Sequence, residues 1–209
     1  MDSTMKSLLA AILWVLWCAL HSTLVAPTVT ETMKKKLGDG FRFYRLLYNG
    51  VSLVTLIPLV TYSMSIRQAP FFRWEGYLVI VRYLLVVTSL SLFVAGARHY
   101  SLSQLFGIRQ IKTGRASQAV AEYDTFDSSG ILGMIRHPWY IAGILLVWAG
   151  DISLSTLLIN IVIIAYFVVG TFLEERKLLL EFGDRYREYQ RNVSMFIPYK
   201  WVKAKMARL

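Results

Sequence analysis

The densest run of reactive side chains is Arg136-His137-Pro138-Trp139-Tyr140. Proline suits the first turn of a helix, so a helix is expected to start at Pro138. The amides that follow have no helical partners and offer an anion site for a carboxylate or phosphate. Arg136 and His137 stand beside that turn, with Tyr140 one turn further in. A second reading fits the same residue types. At a membrane interface Arg snorkels, while Trp and Tyr sit at the headgroups. The next constellation is Glu174-Glu175, directly after an apolar run. Adjacent carboxylates there lie far from a helix N-terminus, where the macrodipole would favour them. One reading is a solvated helix end, with Glu174 paired to Lys177 or Glu175 to Arg176, each pair worth ~0.3–0.5 kcal/mol. The other is a polar pocket that needs negative charge, for an ammonium or for ribose hydroxyls. In that case, loss of one charge is expected to weaken a ligand and leave the fold unchanged.

Further along, Leu178-Leu-Leu-Glu-Phe-Gly183-Asp184 reads as a helix end followed by a cap. Tyr186 and Tyr189 then fall on one face, either of an interfacial amphipathic helix or of a lid over a cofactor. His21 lies inside an apolar run, where an ionisable side chain is a functional hypothesis by default. A neutral histidine hydrogen-bonded between helices is the commoner case. His99 could serve as a base or as an interface residue. The histidines lack the H-x-x-H or H-x-x-E spacing of a metal set, and no G-x-G-x-x-G is present. The single cysteine, Cys18, excludes an intramolecular disulfide.

The elements that must position these residues follow from composition. The chain of 209 residues is 56% hydrophobic and 17% charged. A soluble domain carries about 25% charged residues, and so short a chain cannot enclose this much apolar surface. An all-α polytopic membrane protein is expected, forming a single membrane domain over 1–209. Within it, 1–110 holds N-terminal helices, 111–137 a cytoplasmic connection, and 138–209 a hairpin and tail. The net charge of +10 suits basic cytoplasmic loops better than nucleic acid, for which no motif appears. Five apolar segments stand out: Leu8–Pro27, Leu46–Met64, Gly76–Ala97, Pro138–Gly150 and Ser153–Leu173. All but the fourth are long enough to cross a ~30 Å hydrocarbon core. Lys6 and the run after it mimic a secretory signal, but the run is long and no A-x-A site follows, so a retained helix is expected. Gly150, Asp151 and Ser153 supply a turn, making Pro138–Leu173 a hairpin that returns Glu174-Glu175 to the face where Pro138 starts. Between Arg98 and His137, the part to Gln110 is expected to extend the third helix to about Gly107, and Gly114–Gly130 is a candidate lid.

These readings converge on a ligand with both carboxylate and ammonium, such as S-adenosylmethionine. Arg136-His137-Pro138-Trp139-Tyr140, a hairpin, Glu174-Glu175 and Phe182-Gly183-Asp184-Arg185-Tyr186-Arg187-Glu188-Tyr189 together resemble the integral-membrane methyltransferases. That superfamily includes isoprenylcysteine carboxyl methyltransferase and phospholipid N-methyltransferases. Leu20-His21-Ser22, Tyr44-Arg45-Leu46-Leu47-Tyr48-Asn49 and Leu105-Phe106-Gly107-Ile108-Arg109-Gln110 are similar to the methanethiol S-methyltransferase and NnrU-like branch. The resemblance implies S-adenosylmethionine held by His137, Tyr140, Glu174 and Glu175, with Tyr186 and Tyr189 as closing residues. It implies methyl transfer to a small thiol, or alternatively to an isoprenylcysteine carboxylate or a lipid amine. A non-enzymatic NnrU-like membrane protein is the rival of a different class. From location, Arg109 or Arg136 could stabilise a thiolate or carboxylate, and His99 could take a proton.

With an odd number of crossings, nineteen Lys and Arg residues share one side, and Lys6, Arg67 and Arg73 the other. The positive-inside rule then puts the N-terminus outside and the tail and site at the cytoplasmic face of a prokaryotic cytoplasmic membrane. A cysteine introduced at Lys203, with Cys18 removed, should resist an impermeant thiol reagent in intact cells. Ready labelling there would reverse the orientation.

Overall fold

The computed structural model describes residues 2–99, 101–113 and 128–207. In chain order the helices are α1 (Ser3–Val25), α2 (Pro27–Leu37), α3 (Tyr44–Ser65), α4 (Leu78–Ala97), α5 (Leu102–Leu105), α6 (Ile108–Thr113), α7 (Pro138–Trp148), α8 (Leu154–Phe182), α9 (Asp184–Asn192) and α10 (Tyr199–Met206). Short 3-10 turns cover Gly38–Phe43 and Gly130–Gly133. Among the described residues there is no strand, only two isolated bridges. The architecture is the all-α polytopic one expected. Four helical stretches are long and apolar enough to cross a membrane: Ser3–Val25, Pro27–Ser65, Leu78–Ala97 and Leu154–Phe182. Their outer faces leave Val54, Ile57, Leu84 and Val87 exposed, as lipid-facing side chains should be. At 11 residues α7 is shorter, roughly 16 Å of helix.

One sequence expectation holds and one is corrected. Gly183 ends the helix that carries Glu174-Glu175: α8 runs from Leu154 to Phe182. Leu178, Leu179 and Leu180 are good helix formers, and the break comes at Gly183, whose φ of 56° favours glycine. The third apolar helix is not prolonged. It ends at Ala97, and α5 and α6 follow as separate short helices around Gly107 at φ 83°. Most of the candidate lid, 114–127, lies outside the described residues.

The described chain forms two compact units. The first contains α1–α3, α5, α6 and the start of α8. Its helices α1 and α3 join through one polar stripe. Trp14, Trp17 and His21 recur at helical spacing on α1 and meet Ser63, Thr55 and Ser52 of α3 at 3.0, 3.1 and 2.9 Å. Tyr44 donates to the Leu24 carbonyl at 2.8 Å. His21 is thus the interhelical histidine, stacked on Trp17 with centroids 5.3 Å apart. Polar links of this kind average about 0.6 kcal/mol within a membrane. The Asn49 amide holds the Leu105 carbonyl at 3.0 Å. Gly107 lets α6 approach α3, since a Cβ there would meet the Leu46 amide at 2.9 Å.

The second unit contains α4, α7, the rest of α8, α9 and α10. Here α4 and α7 pack through small residues, the usual device when lipid gives no hydrophobic drive. Ser89 donates to the Ala142 carbonyl at 2.8 Å, and Trp139 Nε1 to the Phe93 carbonyl at 3.0 Å. Gly96 lies directly under the Trp139 ring: a Cβ there would come within 2.4 Å of Nε1. Gly143 accepts Phe167 of α8 in the same way, at 2.6 Å. At the α7–α8 turn Asp151 meets Arg82 at 3.7 Å.

A pair of substitutions checks this packing by melting in detergent. Gly96→Ala should destabilise by about 1–3 kcal/mol, through overpacking against Trp139. Gly50→Ala, where nothing lies within 4 Å of the added Cβ, should stabilise by roughly 0.5–1 kcal/mol. Equal effects at both positions would contradict the α4–α7 contact.

Candidate functional site

The site is assembled by a short extended run before α7. Ile135 pairs with Ser194 in a parallel bridge. The Arg136 amide donates to the Ser194 carbonyl at 2.9 Å and the His137 amide to the Met195 carbonyl at 3.2 Å. The chain after α9 is therefore sewn to the chain before α7. Pro138 then fixes the helix start, with His137 as its N-cap residue. The Ile141 amide returns to the His137 carbonyl at 3.3 Å.

Three groups meet inside this junction. Arg136 Nε donates to Glu175 Oε1 at 2.6 Å. Its Nη1 donates to the Gln190 carbonyl at 3.3 Å and also to the Val193 carbonyl. His137 Nε2 lies 3.1 Å from the same Glu175 Oε1. A carboxylate only accepts, so the proton belongs on Nε2. The other oxygen, Oε2, accepts from Gln190 Nε2 at 2.9 Å. Arg136, His137 and Glu175 are all buried. A buried carboxylate is tolerated only when paired and hydrogen-bonded, and both Glu175 oxygens are.

Glu174 is placed differently. Successive residues on a helix are ~100° apart, so its carboxylate leaves α8 in another direction. Its Oε2 is 3.8 Å from His137 Nδ1, and its side chain is 36% exposed. The His137 ring is thereby bracketed by the two carboxylates. One face is stacked on Tyr140 at 5.6 Å, and Phe196 meets it edge-on at 6.3 Å. The Tyr140 ring also contacts Phe167 at 5.7 Å.

The remaining sequence-selected residues are distributed as follows. Tyr186 and Tyr189 are buried with Val193 against Leu178, Leu179 and Phe182. Tyr189 donates to the Leu132 carbonyl at 2.6 Å. Burial, with the Glu175 carboxylate nearby, pushes the Tyr186 phenol above its ordinary range. His99 packs on Gly130, where a Cβ would come within 2.7 Å of Nε2. Arg109, like His21, belongs to the first unit, and His99, Arg136, His137, Tyr140, Glu174, Glu175, Tyr186 and Tyr189 belong to the second. The solvated-end pairing is replaced: Glu175 takes Arg136, not Arg176. Sequence reasoning missed Gln190, Ser194 and Lys200. Lys200 Nζ donates to the Gln190 carbonyl at 2.7 Å, and the Lys200 amide to Ser194 Oγ at 3.1 Å. A signal existed for Gln190, which sits four residues after Tyr186 and so shares its inward face.

Residues 8–205 match the family described as NnrU protein. The chain belongs to the NnrU protein family. This NnrU-family chain is also similar to proteins named for a methyl transfer. Methanethiol S-methyltransferase 1 of Bradyrhizobium diazoefficiens is 37% identical over 46% of this chain and 34% of its own length. Methanethiol S-methyltransferase of Mycobacterium tuberculosis is 33% identical over 46% and 39%. Methanethiol S-methyltransferase 2 of Bradyrhizobium diazoefficiens is 27% identical over 90% of this chain and 71% of its own. In the first two the chain spans little more than a third of the relative. No solved structure matches.

The two carboxylates should separate in a stability measurement. Glu175→Gln leaves Arg136 buried without its counter-charge and should cost about 3–5 kcal/mol. Glu174→Gln should cost a few tenths of a kcal/mol at most. Unfolding of the two variants in the same detergent tests this, and equal losses would contradict the asymmetry.

Proposed function

We propose that this chain is a membrane methyltransferase that uses S-adenosylmethionine to S-methylate a small thiol such as methanethiol. The observation that carries the proposal is the unequal use of the glutamate pair. Glu175 is consumed within the protein, whereas Glu174 presents a part-exposed carboxylate beside Nδ1 of His137, the ring stacked on Tyr140. Membership of the NnrU family and the names of the relatives support the same reading.

The residues suit the donor. A carboxylate with an imidazole lone pair beside it accepts an alkylammonium, and aromatic faces attract cations. Glu174 and His137 Nδ1 would receive the ammonium, with Tyr140 and Phe196 shielding the neighbourhood from water. Arg136 and Glu175 act through His137 by fixing its ring. When bound, the donor supplies a methyl group on a sulfonium, which a thiolate attacks in line. The chain must therefore align the acceptor, exclude water and take up the thiol proton. His99 is our candidate for that proton. In this reading the site opens to the cytoplasmic side of a prokaryotic membrane, as the distribution of basic residues suggests.

Purified protein in detergent, given methyl-labelled S-adenosylmethionine and a panel of thiols, prenylcysteines and lipid amines, tests the proposal. Transfer to a small thiol is expected. S-adenosylhomocysteine should raise the melting temperature, since a ligand of the native state stabilises it by mass action. Glu174→Gln should weaken that ligand at least tenfold, about 1.4 kcal/mol, with little change in apo stability. His137→Ala should abolish most of the transfer, and Tyr140→Phe should be milder. No transfer to any acceptor and no thermal shift at saturating ligand would favour a non-enzymatic membrane protein.

A further inference from the structure

Gln190 is joined to Glu175, Arg136 and Lys200. Its side-chain amide donates to Glu175 Oε2 at 2.9 Å. Its carbonyl accepts from Arg136 Nη1 at 3.3 Å and from Lys200 Nζ at 2.7 Å. The carbonyl contacts would survive any substitution, because they belong to the backbone. The amide contact would not, and it does something the others cannot. Arg136 Nε and His137 Nε2 both address the same oxygen, Oε1, at 2.6 and 3.1 Å. Both contacts act through one oxygen, and the terminal torsion of the carboxylate is soft. Gln190 holds the other oxygen, so the plane of the carboxylate is fixed at two points.

That plane has a consequence for the histidine. His137 Nε2–H must find Oε1 along a lone-pair direction for the ring to hold its orientation. With the ring held, Nδ1 stays beside the Glu174 carboxylate, 3.8 Å from its Oε2. A second carboxylate oxygen left unpartnered inside the protein would draw a donor from elsewhere.

We infer that Gln190 is a positioning residue: its side-chain amide locks the Glu175 carboxylate, and through it the ring of His137, in the orientation that leaves Nδ1 beside Glu174 for a ligand ammonium. This inference rests on the proposed binding of S-adenosylmethionine at Glu174 and His137. Gln190 itself touches no ligand in this scheme.

The test uses the full chain in detergent micelles with ¹⁵N-labelled histidine. Ring-nitrogen signals of His137 are assigned by their loss in His137→Gln. Gln190→Leu keeps the side-chain bulk and removes the donor. It should shift the His137 ring-nitrogen signals, while those of His21 and His99 stay in place. Affinity for S-adenosylhomocysteine, measured by calorimetry, should fall about tenfold, the size expected for one hydrogen bond to a charged group. Gln190→Asn, whose amide is one methylene too short, should move both readouts in the same direction and guards against a leucine variant that fails to fold. Unchanged His137 signals in a folded variant would overturn the inference, whatever happens to melting temperature. If wild-type protein does not bind S-adenosylhomocysteine, the proposed function fails, and the ring signals still decide whether Gln190 positions His137.

Discussion

The second unit depends on one buried ion pair, Arg136 with Glu175 at 2.6 Å. Neither charge survives alone in that position: an unpaired carboxylate or guanidinium away from water costs several kcal/mol. The pair therefore dictates where three pieces of chain must be. Arg136 lies just before α7, Glu175 in the body of α8, and the Gln190 and Val193 carbonyls that finish satisfying the guanidinium lie at the end of α9. No two of these pieces are adjacent in sequence. The pair does not promote folding in the way an apolar core does. It excludes every arrangement in which the pieces are apart, which is specificity more than stability.

Around the pair, the apolar contacts set distance. Tyr186, Tyr189 and Val193 fill the space between α9 and the last turns of α8. Tyr189 adds a hydrogen bond to the Leu132 carbonyl, in the turn that leads into Arg136. Between α4, α7 and α8 the distance is set by Gly96 and Gly143, each of which accepts an aromatic ring. Small residues are the natural spacers where the surrounding solvent is lipid. Apolar side chains gain little by leaving lipid for protein, so close backbone approach and interhelical hydrogen bonds carry the association. The α1–α3 stripe of the first unit follows the same physics with indoles, hydroxyls and an imidazole.

How much of this was legible in the sequence differs from element to element. The spans of α1, α3, α4 and α7 were readable because a bilayer imposes a length and an apolar content, and both are local properties. The start of α7 was readable because Pro138 has a fixed φ. So was the end of α8, because Gly183 was read as a helix end. The burial of Glu175 in that helix was not, because its partner Arg136 lies 39 positions away. A window of neighbours cannot reveal that partner. The extended run of Ile135–His137 beside Ser194 and Met195 was invisible for the same reason, being two residues of parallel pairing between distant segments. In the candidate site, Arg136, His137, Tyr140 and the glutamate pair were chosen correctly as neighbours from the hairpin alone. Their hierarchy was not readable, because burial decides it. Tyr186 and Tyr189 show the converse. Their shared face was evident from spacing, but spacing cannot say whether that face meets a ligand or the next helix.

The glutamate pair also shows why two adjacent acids are more useful than one. A single carboxylate that anchors the fold must be buried and fully hydrogen-bonded, and it then has no lone pair left for a ligand. A single carboxylate that meets a ligand must be reachable, and it then cannot hold a guanidinium out of water. Consecutive positions on a helix resolve this conflict, since a ~100° step sends the two side chains in different directions from one backbone site. Glu175 takes the anchoring task, with Arg136, His137 and Gln190 as partners. Glu174 remains 36% exposed, with its oxygen 3.8 Å from the ring that Glu175 holds. The imidazole is in contact with both acids, so the buried one, by holding the ring, sets what the exposed one meets. Any ligand that reads Glu174 and His137 together reads, indirectly, whether the tail is docked.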